Sequence, residues 1–116
     1  MELVFDYVLR GIHAALFTPD GAFAWMTLVM VVTGLVGGIV VGAVPGLNGP
    51  FAMAIALPVL ISSFGTDNDA LLPVLAFLIG VMKGSTLGGA VPAVLFNTPG
   101  TPDALITTRD GYPMAQ

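Results

Sequence analysis

Residues 22–44 form an uninterrupted run of 23 residues without one charged side chain. A helix crossing a hydrocarbon core needs about 20 such residues, and Trp25 near its start sits where indoles favour the membrane interface. The run is predicted to be a transmembrane helix. The rest of the chain agrees, since 56% of its 116 residues are hydrophobic and 9% are charged, against roughly 25% charged in an average soluble domain. A water-soluble globule of this composition would expose apolar patches and aggregate. A soluble enzyme and a disordered segment are thereby excluded. Arg10, Lys83 and Arg109 stand against seven acids, too few cations for the basic footprint that nucleic acid requires. The absence of cysteine removes disulfides, thiolate metal sites and cysteine nucleophiles together.

Before the charge-free run, residues 1–17 read as an amphipathic interfacial helix. Glu2, Asp6, Arg10 and His13 recur every three or four residues and so share one helix face, with Leu3, Val4, Tyr7, Val8, Ile12 and Leu16 over the remainder. The acidic start has no basic region ahead of an apolar core, unlike a cleavable signal peptide. Thr18-Pro19-Asp20-Gly21 has turn chemistry.

Beyond residue 44 the pattern is broken. Pro45-Gly46-Leu47-Asn48-Gly49-Pro50 loses two backbone donors and gains two flexible glycines, which no helix continues through easily. Residues 51–64 are apolar but contain Pro58 and are too short for a straight span. Residues 62–69 read as a water-exposed loop. Residues 71–82 form a second short apolar run, ended by Lys83 and the glycine-rich Gly84-Ser85-Thr86-Leu87-Gly88-Gly89; residues 90–96 are apolar again until Asn97-Thr98-Pro99-Gly100-Thr101-Pro102. Residues 103–116 read as a polar tail. In lipid, broken backbone is tolerated only inside protein or beside a wet cavity, and paired breaks occur where discontinuous helices build a transporter's ligand site. Ordinary turns between spans give the same pattern.

Gly34, Gly38 and Gly42 stand four apart, a stripe cleared of side chains that lets another helix approach closely. Lys83 either attracts an anion or snorkels to headgroups from the end of its helix. Ser85, Thr86, Asn97, Thr98 and Thr101 offer hydroxyls, an amide and approachable backbone N–H groups suited to carboxylates; the same residue types cap helix ends. Gly80-Val-Met-Lys-Gly-Ser-Thr86 is not a phosphate loop, because Lys precedes Gly and no α/β domain surrounds it. His13 reads as a solvated histidine, and no metal site is supported.

Two motif blocks carry a resemblance. Gly38-x-x-x-Gly42-x-x-Pro45-Gly46-Leu47 followed by Ala54-x-x-Leu57-Pro58 resembles the opening motif of the large membrane subunit of tripartite tricarboxylate transporters, the TctA family. Gly80-x-x-x-Gly84-x-x-x-Gly88-Gly89, Ala93-Val-Leu-Phe-Asn97-Thr-Pro99-Gly100 and Asp110-Gly111-Tyr112-Pro113 resemble its second block. Order and spacing match over about residues 34–114. Where family members often read Pro-Gly-Leu-Gly-Pro, this chain inserts Asn48. The resemblance implies a multi-pass subunit of the bacterial cytoplasmic (inner) membrane, partnered by a small membrane subunit and a periplasmic solute-binding protein. It further implies uptake of a carboxylate such as citrate, driven by a sodium or proton gradient. Family subunits are several times longer and built of two related halves, so the chain is expected to correspond to the N-terminal portion and to act with the remainder of the large subunit.

The expected fold is all-α and membrane-embedded, with one long transmembrane helix at 22–44 and a Pro/Gly-broken core over 45–102. The expected substrate and ion site comprises Pro45, Gly46, Leu47, Asn48, Lys83, Ser85, Thr86, Asn97, Thr98, Pro99 and Gly100, with Gly34, Gly38 and Gly42 serving helix packing. The expected cofactor is none beyond a coupling sodium ion or proton. A second reading is a small non-transporting assembly subunit that uses the glycine stripe for packing alone. A membrane-bound enzyme would need a nucleophile–base or metal constellation that the sequence does not contain.

Overall fold

The computed structural model describes residues 1–18, 21 and 23–116. Two of the four turn residues expected at 18–21, Pro19 and Asp20, and the expected first residue of the span, Ala22, lie outside the described residues. Among the described residues the fold is helical: α1 (Glu2–Leu16), α2 (Trp25–Gly42), α3 (Gly49–Phe64), α4 (Asn68–Phe96) and α5 (Ala104–Ala115). The β-type pairing among them is an isolated bridge between Phe17 and Phe23.

Two helices, not one, are long and apolar enough to cross a membrane: α2 with 18 residues and α4 with 29. The sequence reading placed a break at Lys83–Gly89, and α4 runs straight through it. The reason is packing. Glycine is a weak helix former in water, but in an apolar setting an opened turn leaves peptide groups unsatisfied, which costs more. Here the glycines also have a use. A Cβ on Gly34 would collide with the Phe77 carbonyl, one on Gly38 with that of Val81, and one on Gly42 with that of Ser85. Reciprocally, Gly80 meets Val31 and Leu35, Gly84 meets Leu35 and Ile39, and Gly88 meets Ile39 and Ala43. The two helices therefore touch backbone to backbone along a double glycine stripe.

The order of those contacts fixes the topology. Partners advance in the same direction and in constant register on both helices, so α2 and α4 run parallel. α3, which joins the end of α2 to the start of α4, must run antiparallel to both, alongside the pair and chiefly against α4. At roughly 1.5 Å per residue, its 16 residues cover about 24 Å. Because Gly42 is level with Ser85, residues 86–96 of α4 continue about 16 Å past the end of α2.

Residues 103–116, read as a polar tail, largely fold into α5, which packs back on α4 through Gly111 against Val94 and buries Ala104. The loop expected over 62–69 shrinks to residues 65–67, because α3 extends to Phe64 and α4 begins at Asn68. Gly65 turns the chain there with φ 79°, in the left-handed region that glycine enters without steric cost.

Candidate functional site at the two helix breaks

The two Pro/Gly segments meet. α2 ends at Gly42, and Gly46, with φ 92°, reverses the chain toward α3. There Asn48 accepts a hydrogen bond at Oδ1 from the Phe51 amide at 3.0 Å, which satisfies one of the open donors at the α3 N-terminus. The second segment starts at Asn97, whose left-handed conformation (φ 55°, ψ 28°) closes α4. The Pro92 carbonyl, 2% or less exposed with its residue, accepts from the Asn97 amide, the Thr98 amide at 3.3 Å and Thr98 Oγ1 at 3.4 Å. This folds the chain back along α4, so that a Cβ on Gly100 would lie 3.8 Å from the Leu47 carbonyl oxygen and 3.9 Å from that of Gly42.

The result is a cluster at the level of Ser85–Gly89. It contains the carbonyl end of α2, the capped amide end of α3 and the approach to the amide end of α5, while the carbonyl end of α4 lies farther along the axis. Carbonyl ends carry partial negative charge and amide ends partial positive charge, so one small region offers oxygens for a cation and N–H groups for an anion without a formal charge. Ser85, 2% exposed, lies inside it against Gly42 and Gly49 and donates Oγ–H to the Met82 carbonyl at 2.9 Å. Thr101 joins it too. Its side chain presses on Gly89, 3.1 Å from where a Cβ would stand. Its Oγ1 is shielded from solvent and has no hydrogen-bond partner among the described residues.

Of the expected site residues, Leu47, Asn48, Ser85 and Gly100 are brought together, with the exposed Gly46 beside Gly100 and with Pro45, Asn97, Thr98 and Pro99 exposed along the same two segments. Lys83 and Thr86 are not. Both are exposed and off the glycine stripe that meets α2, and Thr86 Oγ1 donates to the Met82 carbonyl at 3.1 Å. The expectation that Lys83 sits near a helix end is also corrected. It stands near the middle of the 29-residue α4, about 20 Å along the axis from either end, farther than its four-carbon stem reaches.

Two features went beyond the expected site. Gly80, Gly84 and Gly88 form the matching half of the packing stripe; their four-residue spacing, the same as that of Gly34, Gly38 and Gly42, was the available signal. Thr101 appeared only as one more polar residue of the second break, and nothing in the sequence marks its hydroxyl as enclosed. Among the described residues no group of three or more His, Asp or Glu side chains suits a metal ion.

Residues 28–116 match the profile described as the Tripartite tricarboxylate transporter TctA family. The whole chain is also 31% identical to an uncharacterized 52.8 kDa protein in the TAR-I ttuC' 3' region of Agrobacterium vitis, over 116 residues that make up 20% of that relative. The chain thus spans about a fifth of the length of the curated relative it matches. No solved structure gives a significant match. With the profile covering both converging breaks and the paired glycine stripes, the chain belongs to the tripartite tricarboxylate transporter TctA family.

Proposed function

We propose that the chain is part of the membrane subunit of a secondary active, binding-protein-dependent transporter that imports tricarboxylates or related carboxylates, driven by an ion gradient. The observation that carries this reading is the return of the second helix break, through Gly100 and Thr101, to the first break at Gly42–Asn48 beside the α2–α4 pair. A ligand site built from discontinuous helices uses helix ends in place of buried formal charges. Amide groups at the starts of α3 and α5, with Asn48, Asn97 and Thr98, would hold carboxylate oxygens. The carbonyls of Gly42 and Leu47 and the partnerless Thr101 hydroxyl are the hard oxygen ligands a sodium ion takes.

Lys83 has a different part in this reading. A cation on the outward face of an apolar helix is costly unless it meets an anion or water. That face would close on the remainder of the large subunit, where Lys83 would line the aqueous path of an anionic solute. Alternating access would come from rocking this unit against its counterpart in the rest of the subunit. The double glycine stripe makes α2 and α4 move as one body. The cytoplasmic membrane is the expected location, with the small membrane subunit and a periplasmic solute-binding protein as partners.

The test is uptake of labelled citrate and of small dicarboxylates and tricarboxylates in cells with the intact locus, against cells lacking this chain, with sodium and pH gradients varied separately. Loss of gradient-dependent uptake on deletion, restored by the chain's return, supports the reading. Equal uptake of every acid in both strains contradicts it and favours a packing subunit.

A further inference from the structure

We propose that α1 is an in-plane lipid anchor, with its apolar face sunk in the bilayer interface at the level where α2 enters the membrane. α1 precedes the region matched to the family, which begins at residue 28, so the transport reading gives it no task. It contributes no buried residue to the fold. It packs along none of the other helices among the described residues and meets α2 just at the hinge. Its 15 residues reach about 22 Å, short of a roughly 30 Å hydrocarbon core.

The two faces of α1 are unequal. Glu2, Asp6, Arg10 and His13 occupy a narrow strip, and Asp6 pairs with Arg10 at 3.5 Å. Over the rest, Val4, Phe5, Val8, Leu9 and Ile12 are all exposed, Phe5 to 66%. So wide an apolar face cannot rest in water.

The hinge identifies what covers it. The Ala24 amide donates to the Leu16 carbonyl at 2.8 Å, and Phe17 bridges to Phe23. The end of α1 is therefore tied to Phe23 and Ala24, the two residues ahead of Trp25, which opens α2 and is 69% exposed. Phe17, Phe23 and Trp25 stack edge to face, with ring centroids 6.2 and 5.2 Å apart. Such aromatics collect at the headgroup level, which places the end of α1 at that depth. Arg10 and His13 on the polar strip then face Asn68 and Asp69, at the start of α4, across a cleft of about 1010 Å³ on the wet side. The strip holds two acids against one arginine, so anchoring comes from apolar burial rather than from attraction to anionic headgroups.

The proposal rests on membrane embedding of the chain and is independent of the solute carried. The chain contains no cysteine, so single spin labels are introduced at Val8→Cys and Asp6→Cys in the complete subunit, reconstituted in phosphatidylcholine bilayers. Collision with oxygen is compared with collision with a water-soluble nickel chelate. The label at 8 is expected to favour oxygen several-fold, and the label at 6 to favour nickel, with no change when anionic lipid is added. A label at 8 shielded from both reagents would show that protein covers α1, and one favouring nickel would place it in water. Either overturns the anchor, as does embedding seen in anionic lipid alone. Retention of the subunit in carbonate-washed membranes reads the embedding separately, so failure of the anchor and failure of the membrane reading are distinguishable.

Discussion

Gly38 of α2 lies against the backbone carbonyl of Val81 on α4, so closely that a Cβ on Gly38 would stand 2.9 Å from the Val81 carbonyl carbon. Neither backbone can yield without parting the helices. Gly38→Ala is expected to destabilise the complete subunit by about 1–3 kcal/mol, the usual cost of overpacking. Gly37→Ala meets nothing within 4 Å and should be neutral or stabilising by up to about 1 kcal/mol through helix propensity. Unfolding in detergent, followed for both variants, reads the contrast; equal effects would refute backbone contact at this stripe.

Thr101 separates stability from function. Its enclosed, partnerless oxygen is a liability to the fold, and Thr101→Val replaces it with a methyl of the same shape. The variant should be as stable as the parent or more so, by about 1–3 kcal/mol. In transport the same change should weaken the dependence of uptake on the sodium gradient. Wild-type ion dependence in Thr101→Val would remove the hydroxyl from the ion path.

Asn97 combines a backbone role with a side-chain one. Its φ of 55° costs an alanine roughly 1–2 kcal/mol and a glycine little. Asn97→Ala should therefore lower stability, and Asn97→Gly should preserve it. If the amide holds substrate, both variants lose most of their uptake despite that difference. Normal uptake by Asn97→Gly would reduce Asn97 to a helix terminator.

Lys83 is exposed and off the glycine stripe where α4 meets α2, so the helix packing does not depend on it. Lys83→Met should leave membrane insertion and stability intact while lowering uptake of anionic solutes at least tenfold, a loss of about 1.4 kcal/mol. Uptake measured beside the amount of inserted protein checks this, and full activity would place Lys83 outside the solute path.

The helical, membrane-suited character was legible from the uncharged run at 22–44 and the scarcity of charge. The stripe at Gly34, Gly38 and Gly42 was readable as a face stripped of side chains, though its partner was not. The continuity of α4 stayed hidden because the glycines read locally as helix breakers and Lys83 as the end of an apolar run. Close approach of a second backbone at Gly80, Gly84 and Gly88 reverses that meaning, and this contact is between residues 45 to 49 positions apart. The meeting of the two breaks was invisible for the same reason: the contact of Gly100 with Gly42 and Leu47 follows from α2 and α4 running parallel, which periodicity does not encode. α5 was missed because its polar, Pro-containing sequence carries little helical signal, and its place comes from packing on Val94.

The central claim is that the two breaks together line the solute path, and accessibility of single cysteines at Leu47 and Pro99 tests it most directly. The complete subunit, with Leu47→Cys or Pro99→Cys and Gly37→Cys as a control, is treated with a membrane-impermeant thiol reagent from each side of the membrane. Citrate and a panel of related carboxylates are present or absent. Labelling at both break positions that at least one carboxylate slows in the presence of the coupling ion, with position 37 indifferent, is the predicted result. Labelling that no carboxylate alters, or no labelling from either side, would contradict the account.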